Sequence, residues 1–280
     1  MTENLGNIFW IFIMLSLILP WLQKRLLDTA RARIIRSIEK QRSSRVIVLI
    51  HRQETLSILG FPMFRYIDID DAERVIRAIH LTDPDIPLDI VLHTPGGLVL
   101  ASVQIARAIQ AHRVKTTVFV PHYAMSGGTL IALAADEIVM DCHAVLGPVD
   151  PQLGEFPAAS IVRVLHEKNH SDIEDETLIL ADMSEKALHQ IRKEVVDLLS
   201  DDMPQEKAER LAEQLSQGTW THDHPIGVKE AIAMGLNVQS NLPKDFYDLM
   251  DLYPQPMRRQ PSVQFIPLPY GPPGRDSHGK

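Results

Sequence analysis

The sequence predicts an α/β fold with a mainly parallel sheet. Three observations lead there. From residue 46 onward, short β-branched runs alternate with helical stretches. Two Gly-Gly turns follow successive strand candidates, at the strand ends where open α/β sheets place their sites. The 280 residues, 45% hydrophobic and 23% charged, suffice for one sizeable core plus appendages.

The first element precedes that domain. From Ile8 to Leu22 nothing is charged, and only Ser16 and Pro20 interrupt the apolar run. At roughly 15 residues it is slightly short for a membrane span of about 20. Trp10 and Trp21 sit near its ends, as in aromatic belts, and Asn7 and Gln23 flank it. A signal peptide needs positive charge before the run and a small-residue cleavage site, and both are missing. Residues 1–23 are therefore expected to form a single-pass membrane anchor rather than an interfacial helix. Lys24 and Arg25 follow, then Arg31, Arg33, Arg36, Lys40, Arg42 and Arg45. The positive-inside rule places this flank, and everything after it, in the cytoplasm. Residues 24–45 read as a basic linker helix with Leu27, Ile34, Ile35 and Ile38 at helical spacing. Such a helix either runs along the inner leaflet or is solvated.

Within the expected domain, residues 46–245, VIVLIH is the first strand, and IDDAERVIRAIH is a helix opened by Asp70 and Asp71. IPLDIVLH and LASVQIARAIQAH form the next strand and helix. KTTVFVP leads into HYAMSGGTLIALAAD, and EIVMD is a fourth strand. The later part is helical: ETLILADMSEKALHQIRKEVVDLL, PQEKAERLAEQLS and GVKEAIAMG. Residues 246–280, proline-rich from Tyr253, read as an extended or disordered tail. There is no internal repeat.

Composition also excludes. A net charge of −8 argues against a nucleic-acid binder. The single cysteine, Cys142, allows no intramolecular disulfide and no thiolate metal cluster, which fits a reducing compartment. Cys142 is expected to be a small buried residue rather than a reactive thiol.

The chemistry concentrates in HTPGGL, residues 93–98, and MSGGT, residues 125–129. Glycine lets backbone approach closely and lets N–H groups point into a cavity. Two converging N–H groups can form an oxyanion hole. Ser126 either caps the following helix or serves as a nucleophile, and one serine beside one turn would not decide between them.

TPGG, a helix, a strand, then AMSGGT and AADEI together resemble the Clp/crotonase superfamily of serine peptidases. The similarity is closest to the signal peptide peptidase A branch and the serine dehydrogenase proteinase family. AVLGPVDPQ (144–152) and GTWTHDHPIGVKEAIAMGLNV (218–238) extend it, so that it covers about residues 45 to 240. The resemblance implies a Clp/crotonase-like spiral β-sheet with surrounding helices, preceded by an N-terminal membrane helix. It implies Ser126 as nucleophile and the N–H groups of Gly97 and Gly127 as the oxyanion hole. It also implies a peptide or protein substrate, a homo-oligomer, and no cofactor or metal.

A serine hydroxyl needs a base. Where Clp proteases place a histidine, this chain has Leu146, Gly147 and Pro148, and His143 comes too early. Signal peptide peptidase A uses a later lysine, and Lys168, between LGPVDPQ and the long helix, matches that position. Its role requires a depressed pKa, which the apolar ASIVRVL could supply by burial. His166 and His170 flank it, and His222 or His224 would serve a Ser–His–Asp arrangement. Lys186 reads as a surface charge. The His222-Asp223-His224 triplet lacks further ligands for a metal. His51-Arg-Gln-Glu closes the first strand and receives no role. The leading expectation is a membrane-anchored serine endopeptidase with a Ser126–Lys168 dyad. A non-catalytic peptide-binding scaffold and an acyl-CoA enzyme are the alternatives, and a dedicated serine argues against the latter.

Overall fold

The computed structural model describes residues 2–52 and 65–253, without the side chains of residues 2–13, 15, 17, 20 and 170. The helices are α1 Thr2–Arg42, α2 Ile69–His80, α3 Val99–Gln110, α4 Gly127–Leu133, α5 Ala158–Glu167, α6 Asp175–Leu199, α7 Gln205–Ser216, α8 Val228–Met234 and α9 Lys244–Asp251. The strands are β1 Arg45–Ile50, β2 Leu88–His93, β3 Thr116–Val120, β4 Tyr123–Ala124, β5 Glu137–Met140, β6 Val145–Leu146, β7 Gln152–Leu153, β8 Phe156–Pro157, β9 Ile226–Gly227 and β10 Val238–Gln239. The main sheet runs β1-β2-β3-β5-β10 with every pair parallel. Beside it, β4 pairs parallel with β6, which pairs antiparallel with β9, and β7–β8 is a hairpin. The α/β class and parallel sheet expected from the sequence are present.

The two-residue period of a strand sorts the sheet's side chains onto two faces. Ile90, Leu92, Val118, Val120, Ile138 and Met140 enter the larger core, which also takes apolar residues from α2, α3, α4, α6, α7 and α8. Val91, Phe119 and Val139, the intervening residues, point to the opposite face. Both faces are covered, which is why LDIVLH and TTVFV read as continuous buried runs.

That second face corrects two expectations. Ile34, Ile35 and Ile38 of α1 pack there with Val46, Phe119, Phe246 and Leu249. The apolar stripe of the expected linker helix therefore faces the sheet, not lipid or water. Arg42 forks onto the buried Asp89 of β2 from Nε (2.5 Å) and Nη2 (3.1 Å), and Ser44 donates to the same carboxylate. Arg31 donates to the Leu252 carbonyl from Nε and Nη2, and lies 4.1 Å over the Tyr253 ring. The first residues of the tail expected from residue 246 are likewise not extended or disordered. Residues 246–251 belong to α9, with Phe246, Leu249 and Met250 buried and the Phe246 ring stacked on Phe119 at 4.0 Å. Residues 254–280 lie outside the described residues.

The helix α1 is continuous over 41 residues, with no break between the expected anchor and linker. Among the described residues no helix is long and apolar enough to cross a membrane. Most side chains of the anchor expected at residues 1–23 lie outside the described residues.

Phe246→Ala should destabilise the domain by about 3–5 kcal/mol, because it empties the space against Phe119. Chemical unfolding of the full chain checks this. Truncation after residue 245, which removes the buried Phe246, Leu249 and Met250, should lower stability at least as much.

Candidate active site

The turn after β2 is stitched on both sides. Thr94 N–H donates to Tyr123 O (3.2 Å) and Met125 N–H donates to Thr94 O (3.0 Å), so the turn joins the chain entering α4. On the other side Ile67 N–H donates to Gly96 O (2.8 Å) and Leu98 N–H to Ile67 O (2.9 Å). A Cβ on Gly97 would stand 2.3 Å from the Ile67 nitrogen and oxygen, so only glycine fits. Gly96 has φ +106°, and a Cβ there would meet the Ser126 Cβ at 2.8 Å.

Ser126 occupies the sharp turn between β4 and α4 with φ 51° and ψ −116°. A non-glycine residue there costs on the order of 1–3 kcal/mol and persists only where the surroundings impose it. An ordinary N-cap has extended backbone and a side chain that accepts from the first turn. Ser126 has neither, since its side chain makes no capping hydrogen bond. The strand-to-helix turn with a strained serine has the geometry of a nucleophile elbow.

The elbow is braced from beneath. Thr129 Oγ1 lies within hydrogen-bond distance of the carbonyls of Ala124 (2.9 Å) and Gly147 (2.7 Å), and Gly147 N–H donates to it (3.1 Å). Gly147 itself leaves room for Met125, whose Cε would lie 2.5 Å from a Cβ there. Gly127 is forced by the approach of α3, where the Ser102 Oγ would stand 2.2 Å from its Cβ. The same Cβ position is 3.5 Å from the Gly97 nitrogen, so the two backbone segments meet beside Ser126. Among the described residues, neither the Gly97 nor the Gly127 N–H donates a turn or loop hydrogen bond. Ser126, Gly97 and Gly127 thus come together.

Lys168 does not join them through any contact among the described residues. It ends α5 with extended backbone and its side chain is exposed. The burial expected from ASIVRVL is absent because only Ala158 and Ile161 of α5 are buried. His166 is exposed and the His170 side chain lies outside the described residues. Lys186 pairs with Asp182 on the surface of α6. Cys142 is exposed, not buried as expected, because it follows β5 in the turn to β6.

The His222–Asp223–His224 triplet divides. His222 Nδ1 meets the buried Asp150 carboxylate at 2.7 Å, and that hydrogen bond raises its pKa above the ordinary value. His224 stacks on Trp220 at 4.7 Å. No group of three or more metal-ligating side chains occurs among the described residues.

Sequence reasoning missed three buried groups. His51, given no role, meets Thr94 and Asp71 through its two ring nitrogens. Asp150, inside the recognised LGPVDPQ stretch, holds His222. His93 is buried with neither ring nitrogen partnered among the described residues, and burial pushes its pKa down to about 3. His51 and His93 sit at strand ends, a position that marks sites, and Asp150 in the connection between β6 and β7, but no spacing pattern ties His51 or Asp150 to its distant partner.

A family model described as "ClpP-like SDH-type serine proteinase" matches residues 1–280. Two uncharacterized proteins of Methanocaldococcus jannaschii are similar. MJ1495 is 52% identical over 95% of this chain and 91% of its own, and MJ0137 is 50% identical over 94% and 92%. Among solved structures, a mutant of the 1510-N membrane-bound stomatin-specific protease aligns at TM-score 0.45 and 22% identity, over 67% of this chain and 79% of its own. ClpP1 from Listeria monocytogenes aligns at 0.44 and 15%, over 79% and 97%.

Two outcomes test the geometry. Gly127→Ala should destabilise by about 1–3 kcal/mol through overpacking against Ser102, and adding Ser102→Gly should recover part of that loss in a thermal melt. His222 has its folded-state pKa raised above 6.5, so its pairing with Asp150 stabilises most below that pH and is lost as pH rises through the raised value. His222→Gln should therefore lower the melting temperature more at about pH 5.5 than at about pH 8.5.

Proposed function

Because this chain belongs to the ClpP-like SDH-type serine proteinases, a family of serine peptidases, we propose that Ser126 is its nucleophile and that the Gly97 and Gly127 N–H groups form its oxyanion hole. One observation carries the reading: Ser126 is held in a strained backbone conformation, without a capping bond, beside two glycine amides that spend no turn or loop hydrogen bond among the described residues. A serine serving only as a cap would sit in relaxed, extended backbone.

In this mechanism the Ser126 Oγ attacks the scissile carbonyl of a peptide. The carbonyl oxygen gains negative charge and accepts from Gly97 and Gly127 N–H, fixed donors that need no reorganisation. A base takes the serine proton and returns it to the leaving amine. Water, losing a proton to the same base, then releases the acyl group and restores Ser126. No metal or cofactor enters. We assign the base to Lys168, on its position between the LGPVDPQ segment and the long helix α6. Its exposure in the single chain means that substrate or a second copy must cover it before it can work as a neutral amine. Such a second copy fits the homo-oligomer expected by resemblance.

For the first half of α1 the reading is a membrane association, with the catalytic domain on the side of the basic flank. Met14, Ile18, Leu19, Trp21 and Leu22 stand exposed on this helix, and Lys24 and Arg25 follow them. Deleting residues 1–22 should move the protein from the membrane to the soluble fraction and keep its peptidase activity.

Ser126→Ala should reduce peptide cleavage by several orders of magnitude with the melting temperature unchanged or raised, since the strained residue gains no contact from its hydroxyl. Full activity of the variant sinks the reading. Lys168→Ala should match that loss without adding to it, Lys168→Arg should not rescue it, and wild-type activity should climb from neutral to alkaline pH. A histidine base would instead show a plateau above neutral pH, with His222→Ala or His224→Ala inactive.

A further inference from the structure

Behind the glycine turn lies a polar chain that the catalytic reading leaves unused. His51 follows β1 and is buried. Its Nε2 lies 3.1 Å from Asp71 Oδ2, and its Nδ1 lies 2.9 Å from Thr94 Oγ1. Thr94 Oγ1 in turn accepts from the Gly96 N–H at 3.2 Å, with the Gly96 carbonyl 3.3 Å away. Asp71 is itself fixed, because its Oδ2 accepts the Asp68 N–H in the capping box that opens α2. Burial pushes the Asp71 carboxyl up, and the hydrogen bonds from His51 and Asp68 outweigh this and hold it below the usual carboxylate value.

The arrangement has the membership of a hydroxyl–imidazole–carboxylate triad, but Thr94 is fully buried and no substrate reaches it. The hydrogen positions follow from chemistry. An ionised carboxylate only accepts, so Nε2 of His51 carries the ring hydrogen. In the neutral ring Nδ1 is then an acceptor, and the Thr94 hydroxyl donates to it. That leaves a lone pair of Thr94 Oγ1 for the Gly96 N–H. The Gly96 amide is thereby occupied, and the next amide nitrogen, that of Gly97, lies 3.5 Å from the Cβ position of Gly127 and has no turn or loop acceptor among the described residues.

We propose that Asp71, His51 and Thr94 are positioning residues for the oxyanion hole, a buried relay that sets the Gly96–Gly97 turn so that the Gly97 N–H stays free for the developing oxyanion. The relay ties three separate segments, the end of β1, the start of α2 and the turn after β2, to the Pro95–Gly96 peptide, while Ile67 N–H holds the carbonyl of the next peptide, Gly96–Gly97. It rests on the assignment of Ser126 and the Gly97 and Gly127 amides made above. Loss of the Thr94 hydroxyl or of the His51 acceptor frees the Pro95–Gly96 peptide to rotate and leaves the Gly96–Gly97 peptide fixed from one side only, and an oxyanion hole misaligned in this way loses rate rather than ground-state binding.

The test uses the full chain and a fluorophosphonate probe. The Ser126 Oγ–phosphorus bond forms as fluoride leaves, and the phosphonyl oxygen occupies the hole. In Thr94→Val, which keeps the shape of the side chain, the maximal labelling rate should fall about tenfold at an unchanged half-saturating concentration and unchanged melting temperature. Thr94→Ser should keep the wild-type rate, His51→Leu should match Thr94→Val, and the double variant should be no slower than either. Wild-type rates in Thr94→Val and His51→Leu, or a Thr94→Ser as slow as Thr94→Val, overturn the relay. If Thr94→Val does not fold, His51→Leu decides by the same criterion. A wild type that labels at Ser126 while the variants match it removes the relay alone. A wild type that does not label removes the nucleophile assignment and the relay together.

Discussion

Everything at the site depends on one close backbone approach. Residues 94–98 run between Ile67 on one side and Ala124–Met125 on the other, and hydrogen bonds close both seams. A side chain at Gly97 would collide with the Ile67 backbone, and one at Gly127 with Ser102. Packing thus demands the glycines, and the same two positions carry the amides assigned to the proposed oxyanion hole.

The same approach supports the strain at Ser126. A serine at φ 51° and ψ −116° relaxes unless its neighbours forbid it. Here Met125 is hydrogen-bonded to Thr94, Gly128 to Met125 O, and Thr129 to the Gly147 segment. The bonds on either side of the serine outnumber what one strained residue costs, each contributing on the order of 1 kcal/mol. The strain therefore sits where rigid structure flanks it, which is the condition for a pre-aimed hydroxyl.

The strands were legible because the two-residue period and the β-branched runs are local properties of VIVLIH, LDIVLH and TTVFV. The glycine turns and Ser126 were legible because they lie at strand ends in register. The second face of the sheet was not. Its cover comes from the two ends of the chain, Ile38 of α1 and Phe246 of α9, which meet across some two hundred positions that no periodicity links. The basic stripe of α1 suggested lipid, yet Arg42 and Arg31 are spent on Asp89 and on the end of α9. His51 escaped for the same reason, since its partners, Asp71 and Thr94, come from two other segments. Asp71 read as an ordinary helix opener, and it is one, with a second acceptor function superposed.

The site therefore divides into two unequal parts. The proposed nucleophile and amides are carried by the turn after β2 and the turn between β4 and α4, and hydrogen bonds within the single chain brace both turns. The base assigned by position stands at the end of an amphipathic helix of which only Ala158 and Ile161 are buried, and it stays open to water. On the proposed reading, a substrate or second copy that covers α5 would exclude water from Lys168. Activity then depends on what meets that helix, whereas stability depends on the glycine seam and on the two chain ends behind the sheet.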